Sequence, residues 1–124
     1  MSKYIFTLAL IAFLGCKEES LSPDTLLQQM QEVYTQIEDH IETSCDSSDQ
    51  CVATAIGVKP CGGPTKFIIH SNATDQTKLD ELVADYNELN KQYNEATKAG
   101  SDCSVVTAPA VECVSGNCQE AETR

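Results

Sequence analysis

Among 124 residues, 19 aspartates and glutamates stand against 8 lysines and arginines, a formal charge of −11, and the acids are scattered rather than gathered in blocks. Such a surface repels nucleic acid and anionic lipid headgroups, which bind through basic patches, so no nucleic-acid partner is expected. The length suits one domain with a single modest core.

The chain starts Met1-Ser2-Lys3, and an almost wholly apolar run follows, Tyr4 to Leu14. This is the pattern of a secretory signal, and it is too short to cross a bilayer as a helix. The residues that follow, Phe13-Leu14-Gly15-Cys16, resemble the lipobox of bacterial lipoproteins, with Phe where that motif usually has Leu. The resemblance implies that residues 1–15 are a signal peptide and that Cys16 carries diacylglycerol on its sulfur and an acyl chain on its amine. Residues 16–22 are then a lipid-anchored tether, and 23–124 a single disulfide-rich domain. Each buried methylene is worth about 0.8 kcal/mol, so one chain anchors marginally and two or more anchor stably. Lys17-Glu18-Glu19 is similar to the Lys-acidic-acidic tag that sends lipoproteins of Bacteroidota to the outer face of the outer membrane. The location expected is the outer membrane; the tag points to the cell surface, with a periplasm-facing lipoprotein as the alternative.

The first helix is announced by Ser22 as N-cap, Pro23 at the first helical position and Asp24 in the first turn. Leu26, Met30, Val33, Ile37 and Ile41 recur at helical spacing, widened by Leu27 and Tyr34, and the helix should end near Thr43. Asp24-Thr25-Leu26 also resembles an O-glycosylation acceptor of Bacteroidota, although a helix start explains it as well. After the polar loop Cys45–Cys51, two strands are expected, Cys51–Gly57 and Thr65–Ser71, joined by the turn Lys59-Pro60-Cys61-Gly62-Gly63-Pro64. A second helix should open near Asn72 or Thr74, bury Leu79, Leu82, Val83, Tyr86, Leu89 and Tyr93, and stop with Gly100 at C′. The segment 104–113 and the stretch from Cys118, split by Val114-Ser115-Gly116-Asn117, read as a terminal hairpin. The order α-β-β-α-β-β gives an α+β fold, most simply two helices on one face of a small antiparallel sheet of three or four strands.

Cys45, Cys51, Cys61, Cys103, Cys113 and Cys118 remain after Cys16, and an even set in an exported chain reads as three disulfides. All lie at element ends or turns. Pairing Cys61 with Cys103 would tie the glycine turn to the end of the second helix; Cys45 and Cys51 then join Cys113 and Cys118 in an order the sequence leaves open. Cys61-Gly62-Gly63-Pro64 and Ser101-Asp102-Cys103, within the layout of residues 45–118, resemble a family of small secreted or lipid-anchored bacterial proteins. That resemblance implies a shared fold and brings no activity with it.

Patterns for chemistry are missing: no H-E-x-x-H, G-x-S-x-G or phosphate loop, no C-x-x-C, and no metal-ligand spacing. His70 as a general base has only an ordinary strand-end histidine's surroundings to recommend it. The expectation is a non-enzyme with no metal or cofactor beyond the lipid on Cys16. It would act as a surface-interaction module for a protein partner. The candidate recognition loop comprises Lys59, Pro60, Gly62, Gly63, Pro64 and Lys66, braced by Cys61. The alternative is inhibition of an exogenous peptidase or lysozyme through the same loop.

Overall fold

The computed structural model describes Gly15 and residues 19–122. Cys16, expected to carry the lipid, and Lys17-Glu18 lie outside the described residues. Helix α1 spans Pro23–His40. It starts as the sequence requires: the Ser22 hydroxyl accepts the Thr25 N–H at 3.3 Å, and Pro23 occupies a position that has no helical partner to donate to. It ends three residues earlier than expected. Ile41 leaves helical geometry while still donating to the Ile37 carbonyl, and Glu42 turns to bond with the Thr74 hydroxyl.

Strands β1 (Cys51–Ile56) and β2 (Lys66–Ser71) pair antiparallel, with Val52 opposite His70, Thr54 opposite Ile68 and Ile56 opposite Lys66. Alternation sends Ile56, Ile68 and His70 to one face and Cys51, Phe67 and Ile69 to the other. The first face meets α1 and α2 (Gln76–Thr97). Ile37, Ile56, Ile68, Leu79, Leu82 and Val83 form the core there, with Val33, Tyr34, Ile41 and Tyr86 packed around it. The two helices run antiparallel. At one end His40 Nε2 donates to the Asp75 carbonyl at 3.0 Å, and at the other Leu26 lies beside Gln92, Glu95 and Ala96.

Helix α2 opens at Gln76, later than the expected Asn72 or Thr74, because Asp75 caps it, accepting the Lys78 N–H at 3.2 Å. Thr74 instead is buried and bonds to Glu42. Helix α2 also ends earlier than Gly100 would set it. Lys98 takes the left-handed conformation at φ 50° and closes the last turn, so Gly100 is not needed as C′.

Strands β3 (Val111–Val114) and β4 (Asn117–Glu120) form the terminal hairpin. Its two-residue turn, Ser115-Gly116, has both φ angles positive, as the right-handed twist of a tight hairpin demands. The remainder of 104–113 is not strand, although the Ala110 carbonyl accepts the Ala121 N–H at 2.8 Å, and Val105 is 86% exposed. The four strands form two ribbons, β1-β2 and β3-β4, rather than one continuous sheet. The β3-β4 ribbon lies against the second face of β1-β2, where Ile69, Val111 and Cys113 surround Cys45, Cys51 and Cys118. Cys45–Cys113 and Cys51–Cys118 sew the ribbons together, and Cys61–Cys103 closes the glycine turn as expected. The α+β order therefore stands, with both helices on one face of the first ribbon and the second ribbon stapled to the other.

Candidate recognition site

The loop between β1 and β2 is fixed from three sides. Within it, Lys59 N–H donates to the Gly63 carbonyl at 3.0 Å and Gly62 N–H to the Lys59 carbonyl at 2.9 Å, a closed turn that uses the positive φ of Gly62 (93°) and Gly63 (82°). From α2 a ladder of three asparagines reaches it. Asn87 Oδ1 accepts the Gly57 N–H at 2.8 Å, Asn90 Oδ1 accepts the Val58 N–H at 2.7 Å, and Asn94 Nδ2 donates to the Val58 carbonyl at 2.7 Å. From the far side come the Cys61–Cys103 bridge and Lys59 itself.

Lys59 is not the free surface charge its setting in the sequence suggested. Its side chain is 15% exposed and its ammonium donates to the Ser104 carbonyl at 2.8 Å and to the Ser104 hydroxyl at 3.0 Å, with Asp102 at 3.7 Å. Asp102 in turn accepts the Ser104 N–H at 3.0 Å. That bond, then the Ser104 hydroxyl and the charge of Lys59, hold its carboxyl below the usual carboxylate range. Lys59 is a strut between two turns. What the loop presents to solvent is its tip, Pro60 to Gly63, with Pro64 half-buried behind it. Beside the tip a groove of about 370 Å³ runs between Val58, Pro60 and Gly62 on the loop and Lys91, Asn94 and Glu95 on α2.

Lys66 belongs elsewhere. It leaves β2 on the helix-facing side and its ammonium sits 3.9 Å above the Tyr34 ring centroid. There it borders a second groove, of about 490 Å³, with Leu27, Met30 and Tyr86. Leu27, expected to widen the buried stripe of α1, is 41% exposed on that groove.

Gly62 and Gly63 are glycine for their positive φ and not for want of space. A Cβ built at either meets nothing within 4 Å, so substitution strains only the backbone. The position where space is closed is Gly57, at φ 88°, whose Cβ would overlap the Thr65 hydroxyl while that hydroxyl donates to the Ile56 carbonyl. Neither Gly57 nor the asparagines stand out by residue type. The readable signal was spacing: Asn87, Asn90 and Asn94 sit three and four apart, polar residues on the side of α2 turned toward the loop.

His70 is fully buried rather than a strand-end polar residue. Nδ1 faces the Ser71 carbonyl at 2.9 Å, which only accepts, so Nδ1 carries the hydrogen; Nε2 lies 2.7 Å from the Thr54 hydroxyl. Both ring nitrogens are thus engaged within the fold, and the ring pins β2 to β1. Thr25 is half-buried at the start of α1, with its hydroxyl 2.9 Å from that of Ser22. No protein-family model, curated protein or solved structure matches the chain.

Proposed function

We propose that the chain is a lipid-anchored protein of the bacterial outer membrane, facing the cell surface, which binds a protein partner without catalysis. The contact is made by the tip Pro60–Gly63 and the groove beside it. The observation that carries this reading is the bracing of the loop. One disulfide, three asparagine bonds and the Lys59 strut hold a short segment whose tip stays in solvent. A loop fixed before binding loses little conformational entropy when it docks. Anchoring rests on the resemblance at Phe13–Cys16. The three disulfides fit an exported chain, and the helical domain begins seven residues after Cys16.

The experiment is a pull-down with the acylated protein on intact cells, followed by binding and melting of tip and strut variants. Pro60→Ala and Pro60→Ser alter the exposed tip and should weaken the captured partner several-fold with little change in melting temperature. Lys59→Glu sets a carboxylate against Asp102 and the Ser104 carbonyl and should lower both. Tip variants that bind like the parent would contradict the reading. Cys16→Ser should abolish palmitate labelling and membrane retention; unchanged labelling would remove the anchor.

The same exposed, disulfide-braced tip also suits inhibition of an exogenous peptidase or lysozyme. Because Lys59 is turned inward, such an inhibitor would have to engage its target through Pro60–Gly63. An inhibition screen against those enzymes separates the two readings.

A further inference from the structure

The two disulfides that sew the ribbons are in contact with each other. The sulfurs of Cys45, Cys51 and Cys118 all lie within 4.8 Å of one another, and Cys45 and Cys118 belong to different bridges. Cys113 and Cys118 also stand directly opposite in the β3-β4 register, yet are not bonded to each other. They form a non-hydrogen-bonded pair: Cys113 N–H donates outward to the Ser48 hydroxyl at 3.0 Å, and Cys118 N–H to the Thr43 carbonyl at 2.8 Å. Such pairs bring Cα atoms to about 4.5 Å, inside the range a disulfide spans. The cluster therefore holds a second complete pairing, Cys45–Cys51 with Cys113–Cys118, reachable without moving either ribbon's register. Access is one-sided. Cys45, Cys51 and Cys118 are buried, whereas Cys113 is half-exposed.

We infer that this four-sulfur cluster is a thiol–disulfide exchange site, entered by an external thiolate at Cys113, that converts one pairing into the other. The thiolate attacks Cys113 Sγ, forming a mixed disulfide as the Cys45–Cys113 bond breaks and Cys45 leaves as thiolate. Cys45 then attacks Cys51 Sγ, forming Cys45–Cys51 and expelling the Cys118 thiolate. Cys118 attacks Cys113 Sγ, forming Cys113–Cys118 and returning the external thiolate. Two bridges are present before and after, no electrons are gained or lost, and the thiol is regenerated. The result is a hairpin closed on itself and no longer joined covalently to β1, so the second ribbon is held by hydrogen bonds and packing alone. This inference is independent of the binding reading.

The test uses the full mature chain with substoichiometric reduced glutathione, acid quenching, alkylation and digestion after acidic residues. In the starting pairing the peptide Cys113–Glu120 stays linked to the peptides of both Cys45 and Cys51. After exchange it should be released with an internal disulfide, with Cys61–Cys103 intact and no net gain of alkylated thiol. Failure to release it, or release only together with opening of Cys61–Cys103, would overturn the inference. Cys113→Ala tests the inner step without external thiol. The free thiol should distribute between Cys45 and Cys118, with Cys45–Cys51 and Cys51–Cys118 pairs both present. Alkylation confined to Cys45 would overturn it.

Discussion

The two faces of the β1-β2 ribbon are held by different physics. On the helix side six apolar residues, led by the fully buried Ile37, Ile56 and Leu79, are brought together by helical and strand periodicity. On the other side the β3-β4 ribbon offers four-residue strands, and its cluster consists of half-cystines with Ile69 and Val111 at the margin. An isolated two-stranded hairpin is marginal in water. Two covalent ties take the place of the apolar area that it lacks. The difference teaches where this chain tolerates substitution: the helix side responds to side-chain volume, the ribbon side to its bridges.

The largest expected effect comes from the paired bridges. Changing Cys45 and Cys113 together to Ser, or Cys51 and Cys118 together, should each cost roughly 2–4 kcal/mol. Removing both bridges should cost more than the sum by on the order of 1 kcal/mol. With one bridge in place, the other closes only the short ring through 45–51 and 113–118; alone, it closes a loop with a sequence separation of 67 or 68. Denaturant melts of the three variants would check this, and strict additivity would mean that the bridges do not share one constraint.

Next comes the packed side. Leu79→Ala should cost about 2–5 kcal/mol, since the side chain is fully buried among Ile37, Ile56 and Ile68. Melting followed by circular dichroism should show the helices lost in a single transition.

The loop supplies smaller effects and a sharper comparison. Asn90→Leu removes the acceptor of the Val58 N–H and should cost about 1–3 kcal/mol, while weakening whatever binds the tip. Gly57→Ala and Gly62→Ala both carry a side chain at positive φ, which costs about 1–2 kcal/mol. Only Gly57→Ala also drives a methyl into Thr65. Gly57→Ala should therefore lower the melting temperature clearly more; equal losses would contradict the close approach.

Legibility followed the same division. Helix α1 and strands β1 and β2 could be read from capping and alternation, because each depends on neighbours in sequence; the Cys61–Cys103 tie, with a sequence separation of 42, was read from the placing of the glycine turn and the end of α2. The order of the other two bridges could not, since Cys113 and Cys118 are equally placed on one face of a hairpin and only the docking of the ribbons chooses between them. The candidate loop was legible as a feature, but its lysines were not. Whether Lys59 faces water or Ser104 depends on a turn more than forty residues away, and Lys66 follows the strand's alternation onto Tyr34. The asparagine ladder was hidden because asparagine on a helix ordinarily marks solvent, and here it meets backbone groups that the loop leaves without partners.

The most direct test of this division is amide hydrogen exchange on the chain carrying Cys45→Ser, Cys51→Ser, Cys113→Ser and Cys118→Ser together, with Cys61–Cys103 kept. The account predicts that amides of α1, β1, β2 and α2 stay protected, while those of residues 111–121, including the Ala121 N–H that bonds to the Ala110 carbonyl, exchange as if unfolded. Protection lost throughout in one step, or kept across β3 and β4, would contradict it.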